Sequence, residues 1–119
     1  MRINKLFYLA VVPLFLFATN SAFAYIEKDT AVIRIMNKAA GKTKTVSVGV
    51  GKTVQYDNLT ITAHNCKQSD PFDAENFYAF VEITKDGNGK IYSNWMNRNN
   101  PGDMPLQNAD YDVWLVECK

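Results

Sequence analysis

The chain has 119 residues, with 13 Lys and Arg against 12 Asp and Glu and an apolar content of 47%. Its first 24 residues read as an export leader; removing them leaves 95, and because Arg2 and Lys5 go with the leader, 11 basic residues then face 12 acidic ones. That length excludes a second domain, and the near-neutral balance excludes the basic stripe with which a protein grips a nucleic-acid backbone.

The leader has three parts in the order a secretory translocase requires. Arg2 and Lys5 supply positive charge, Leu6 to Ala18 is an uncharged apolar run of 13 residues, and Ala22-Phe23-Ala24 is a small-x-small cleavage site. The pattern predicts cleavage before Tyr25, residues 25–119 as one domain, and a periplasmic or secreted product. A run of 13 residues falls short of the about 20 that span a bilayer, so no transmembrane segment is expected after cleavage. No cysteine stands at the cleavage point, which disfavours a lipid anchor.

Alternation with period two then recurs along the chain. Ala31 to Asn37 reads as a strand, with Ala31, Ile33 and Ile35 on one face and Val32, Arg34 and Met36 on the other. Lys38 to Lys42 makes a hairpin loop, where Gly41 is free to take positive φ, and Thr43 to Val50 is the returning strand, rich in β-branched residues. Gly49-Val50-Gly51 should bend or bulge the chain before Thr53 to Tyr56, and Asp57-Asn58 is a turn. Leu59 to Cys66 alternates again, with His64 and Cys66 expected on one face because residues i and i+2 of a strand share one.

Lys67 to Asn76 holds Asp70-Pro71 and reads as a loop or at most a single helical turn. Phe77 to Thr84 is the most apolar strand and is expected to be central, covered on both sides. Lys85 to Lys90 is the clearest hairpin turn, leading into Ile91 to Asn97. A long connection from Arg98 to Asp110 precedes the last strand, Tyr111 to Cys118. Six or seven short strands joined by connections too short for crossover helices predict an all-β fold, a small antiparallel sandwich or barrel.

Both cysteines, Cys66 and Cys118, lie in the exported part, where a disulfide persists, and with two the pairing is unique. A metal pair or redox dithiol brings cysteines close in sequence, which these are not.

Few residues offer chemistry. His64 is the only histidine, and no serine sits in a nucleophile-elbow context beside which it would act. Asp70, Asp73 and Glu75 match no calcium-loop spacing, so they read as a solvated acidic loop. Asp110 and Asp112 flank Tyr111 and are the one carboxylate pair open to an acid–base reading, although aspartate is also a common turn former. Asn58-Leu59-Thr60 fits an N-glycosylation pattern, which matters only in a host that glycosylates exports. No metal and no cofactor is expected. The aromatic residues chiefly predict a core, with Trp95, Trp114 and Tyr111 as a candidate binding surface. The long connection, longer than turn geometry needs, supplies a candidate binding loop in Asn97, Arg98, Asn99, Asn100 and Met104.

The C-terminal third carries a resemblance. Ile91-Tyr92-Ser93-Asn94-Trp95-Met96, an Asn-Pro-containing loop, and Tyr111-Asp112-Val113-Trp114-Leu115-Val116-Glu117-Cys118 resemble a bacterial family of exported proteins, the domain of unknown function numbered twenty-one fifty-five, familiar from alphaproteobacteria. The likeness runs upstream through Cys66, Leu59-Thr60-Ile61-Thr62 and Gly51-Lys52-Thr53-Val54 to about Ala39. Members commonly show Ser-Gly-Trp-Met-Phe, where Asn94 and Asn97 stand here in place of Gly and Phe, and a His-Pro ahead of the tyrosine, where Asn108-Ala109 stands. The resemblance implies a periplasmic or secreted bacterial protein with Cys66 and Cys118 as the family's cysteine pair, and it supplies no activity.

Three functions are therefore expected, in falling order. The first is a non-enzymatic envelope module that binds an envelope protein or cell-wall component through the Asn97 to Leu106 loop and nearby aromatics. The second is an inhibitor or accessory of an exported cell-wall enzyme. The third is a small hydrolase using Asp110 or Asp112, which equal inactivity of wild type and the double Asn variant on glycans and esters would end.

Overall fold

The computed structural model describes residues 24–119; the predicted leader, except Ala24, lies outside the described residues. The described residues form eight strands: β1 (Ile26–Glu27), β2 (Thr30–Asn37), β3 (Lys42–Gly49), β4 (Thr53–Tyr56), β5 (Leu59–Gln68), β6 (Phe77–Lys85), β7 (Gly89–Asn97) and β8 (Tyr111–Cys118). One sheet runs β1-β5-β6-β7, with β4 also pairing β5, and the other runs β3-β2-β8. Every ladder between these strands is antiparallel. The all-β sandwich expected from the alternation is what forms, and β1 is the one strand the sequence pattern missed.

The alternation decides which side chains go inside. Ala31, Ile33 and Ile35 of β2 face Leu59, Ile61 and Ala63 of β5, and Ala79, Val81 and Ile83 of β6 lie in the same cluster, all fully buried. At roughly 25 cal/mol per Å² of apolar surface removed from water, this shared layer between the sheets is the main stabilising term. β6 is central in its sheet, but Tyr78, Phe80 and Glu82 on its other side are only half-buried, so it is covered on one face and not on both.

The chain crosses from the three-stranded to the five-stranded sheet at the predicted bend. Val50 N–H donates to the Asp29 carbonyl (2.7 Å), and Gly51, at φ +84°, donates to the Ala63 carbonyl (2.7 Å). Two successive donors are thus satisfied at the crossing, one by the link between β1 and β2 and one by β5.

Two one-residue register shifts place the cysteines. Along β5 the pairing steps from Ala63↔Val81 to Asn65↔Phe80, so His64 is the extra residue; along β8 it steps from Leu115↔Ile33 to Glu117↔Val32, so Val116 is extra. Each bulge reverses the in–out phase for the residues beyond it. Cys66 and Cys118 therefore turn inward, at 0% and 3% exposure, and join β5 to β8 by a disulfide with a Cα–Cα distance of 5.6 Å. His64 stays outside, which corrects the expectation that it shares a face with Cys66.

Candidate functional site

The candidate binding loop is tied down where it begins. The Asn97 side-chain oxygen accepts from Asn76 Nδ2 (2.7 Å) and from the backbone N–H groups of Asn99 (3.1 Å) and Asn100 (3.3 Å). The Arg98 guanidinium lies 4.8 Å from the Phe77 ring centre and donates to the Glu75 carbonyl (3.1 Å) and carboxylate (3.3 Å), and Asn99 Nδ2 donates to the same carbonyl (2.9 Å). Asn97, Arg98 and Asn99 thus fasten this loop to the 69–76 loop, while Asn100 and Met104 are exposed, Met104 with its sulfur against Asn94 Nδ2 (3.5 Å). Met104 is anchored through its carbonyl, which accepts from the Tyr92 hydroxyl. Asn97→Ala is expected to lower the unfolding free energy by roughly 1–3 kcal/mol, because it strands the side-chain amide of buried Asn76. A urea midpoint equal to wild type would remove the hub role assigned to Asn97.

The three predicted surface aromatics do not form one surface. Tyr111 is buried at 5% exposure, and its hydroxyl bonds to Asn58 Oδ1 (2.8 Å) and Asp57 Oδ2 (3.3 Å) in the β4–β5 turn. Burial, and then the Asp57 carboxylate, raises that hydroxyl above the usual tyrosine range. Trp114 stands on the outer side of the three-stranded sheet, opposite Arg34 of β2, and borders a groove of about 350 Å³ with Pro101, Pro105 and Leu106. Trp95 stands on the outer side of the five-stranded sheet.

Around Trp95 the structure assembles a cluster that the sequence did not signal. Phe80 meets Trp95 edge to face, centroids 5.5 Å apart, and Tyr25 meets Tyr78 in the same way, also at 5.5 Å. Lys67 of β5 joins the two pairs, since its ammonium lies 4.1 Å from the Tyr25 ring centre and 4.7 Å from that of Trp95. Tyr25 is 53% exposed and Trp95 38%. Cross-strand register explains the gathering: Lys67 lies opposite Tyr78, and Phe80 opposite Trp95, so the outward positions of three neighbouring strands meet on one face. Period-two alternation finds each outward residue, but only the register shows that they touch.

Beside this cluster His64 packs on Phe80 (5.9 Å) and contacts Glu82 Oε1 through Nε2 (2.9 Å), while Lys90 reaches Glu82 Oε2 (3.2 Å). These two bonds, that from His64 first, hold the Glu82 carboxyl below the usual glutamate range. Two of the three carboxylates of the predicted acidic loop have partners: Asp70 accepts from Phe72 N–H (2.8 Å) and from Ala24 N–H (2.8 Å), and Glu75 takes Arg98, while Asp73 has none among the described residues. Phe72, at the tip of that turn, is 98% exposed. Asp110 pairs with Lys85, and Asp112 with Lys38 (3.3 Å), so each carboxylate of the acid–base candidate has its own lysine. Among the described residues no group of His, Cys, Asp and Glu is placed to hold a metal ion.

Comparison with known proteins adds one relation. The model of a family described as an uncharacterised protein conserved in bacteria (DUF2155) matches residues 31–118, starting somewhat before the resemblance seen in the sequence. No curated protein and no solved structure matches.

Proposed function

We infer a function from the premise that the chain belongs to the DUF2155 family of uncharacterised bacterial proteins. It is an exported, non-enzymatic binding module of the bacterial envelope, and the outer aromatic face of its five-stranded sheet is the face that binds. The observation that carries this is the Tyr25, Tyr78, Phe80 and Trp95 cluster on the solvent side of a sheet whose other side already fills the core. Rings in those outward positions add little to the core, and contiguous exposed apolar groups on a small protein mark a contact surface. The leader pattern and the disulfide favour an exported protein. The lysine partner of each candidate acidic catalyst favours binding over hydrolysis, because an ammonium already occupies the carboxylate oxygen that would act on a substrate.

The test uses the mature protein immobilised and exposed to isolated bacterial envelope. Trp95→Ala is expected to reduce retention about tenfold, as loss of a central aromatic contact does, while Trp114→Ala retains it. Equal retention by wild type and Trp95→Ala, both folded by circular dichroism, overturns the assignment of this face.

A further inference from the structure

We propose that the ligand of the aromatic face is a carboxylate-bearing glycan, with sugar rings stacked on Trp95 and Tyr25 and an acid group on Lys67. This rests on the face being the binding face, and it adds the class of ligand.

Lys67 carries the argument. Its ammonium is held between two rings, 4.1 and 4.7 Å from their centres, yet among the described residues it forms no ion pair and has no hydrogen-bond acceptor. Glu27 is directly opposite Lys67 in the β1–β5 ladder, so a carboxylate is within reach of the strand pair, but the ammonium turns to the rings instead. The rings thus hold a cation that meets no oxygen acceptor among the described residues, which is a preformed seat for an incoming anion. Of the other charges near this face, Glu82 lies between His64 and Lys90, while Glu27, Asp70 and Asp73 form no ion pair among the described residues.

The rest of the ligand follows from the rings. A pyranose presents a patch of C–H bonds on each side, weakly positive and flat, which suits the negative face of an indole or phenol, and its hydroxyls keep it soluble beside the polar strand residues. A bilayer fits less well. Its anchoring needs several cations against anionic headgroups, and this face has one unmatched lysine beside the exposed carboxylate of Glu27.

The experiment titrates the mature protein, carrying Trp114→Phe so that Trp95 is the sole indole, with an oligomer of galacturonate, with its fully methyl-esterified form, and with phosphatidylglycerol vesicles. The acid oligomer is expected to change Trp95 fluorescence saturably, and the ester to bind roughly threefold to tenfold more weakly, the span of an exposed to a charge-assisted contact. Lys67→Gln should bring the acid oligomer down to the ester's affinity, and Glu27→Gln should tighten it by removing a competing carboxylate. Equal binding of acid and ester, no binding of either, or binding of vesicles alone overturns the acidic-glycan class. Envelope retention that still depends on Trp95 would then leave the face standing without this ligand; retention independent of Trp95 would bring down both.

Discussion

Reducing the Cys66–Cys118 bond is expected to lower the unfolding free energy by on the order of 4 kcal/mol, the chain-entropy value for a closed loop of this size, whose ends are 52 residues apart. Net stabilities run from about 5 to 15 kcal/mol, so the loss would take a large part of the total. The position of the bond makes the effect global. It links β5 of one sheet to β8 of the other, and β8 is an edge strand held laterally only by β2. Beyond the bond, Thr30 and Lys119 exchange backbone hydrogen bonds at 2.8 Å, so the terminus keeps a local tie when the sulfurs part. Global weakening rather than fraying of the last residues is therefore the expected outcome. Urea curves of oxidised and reduced protein, followed by tryptophan fluorescence, measure it; superimposable curves would mean that the sheets hold together without the bond. Reduction is a cleaner probe than Cys→Ser, which would also leave a hydroxyl in a site that is 0% exposed at Cys66.

Much of the fold was legible because period two is a local signal. The strands from β2 to β8 follow alternations visible in the residues, and the turns at Gly41 and Gly87 take the positive φ (66° and 82°) that glycine permits. What failed to show was phase. An alternation read through His64 puts Cys66 on the outer face, and only the extra residue at His64 turns it inward; Val116 does the same for Cys118. A bulge is imposed by the partner strand and the bond to be closed, and neither is encoded in the five or six residues around it.

The site was less legible than the fold, for a similar reason. Trp95 was singled out, but its neighbours Tyr25, Lys67, Tyr78 and Phe80 come from chain segments brought together only by register. Trp114 and Tyr111, close to Trp95 in the sequence, end in the other sheet, one outside and one in the core. The length of the 98–110 connection was visible, whereas the inward use of Asn97, Arg98 and Asn99 was not, since asparagine reads equally as a turn former or a ligand contact. Phe72 sits in a stretch whose carboxylates dominated its reading as a solvated loop, and its 98% exposure depends on where Asp70 folds the turn.

Ile33→Ala should cost roughly 2–5 kcal/mol, the range for removing a large aliphatic side chain from a packed interior. Ile33 is 0% exposed on the middle strand of the three-stranded sheet, between Val46 of β3 and Leu115 of β8, and it faces the layer shared with β5. Packing on three sides limits how far neighbours can close the space, which places the expected value in the upper part of that range. Arg34, one residue on, points to solvent and bonds Thr45 Oγ1 at 3.1 Å. Its alanine variant should change stability by no more than about 0.5 kcal/mol, as exposed polar substitutions do. The contrast between two adjacent residues tests the sandwich more severely than either value alone, because a one-residue slip of β2 would exchange their environments. Equal costs for Ile33→Ala and Arg34→Ala in paired denaturation curves would contradict both the register of β2 and the common core of the two sheets.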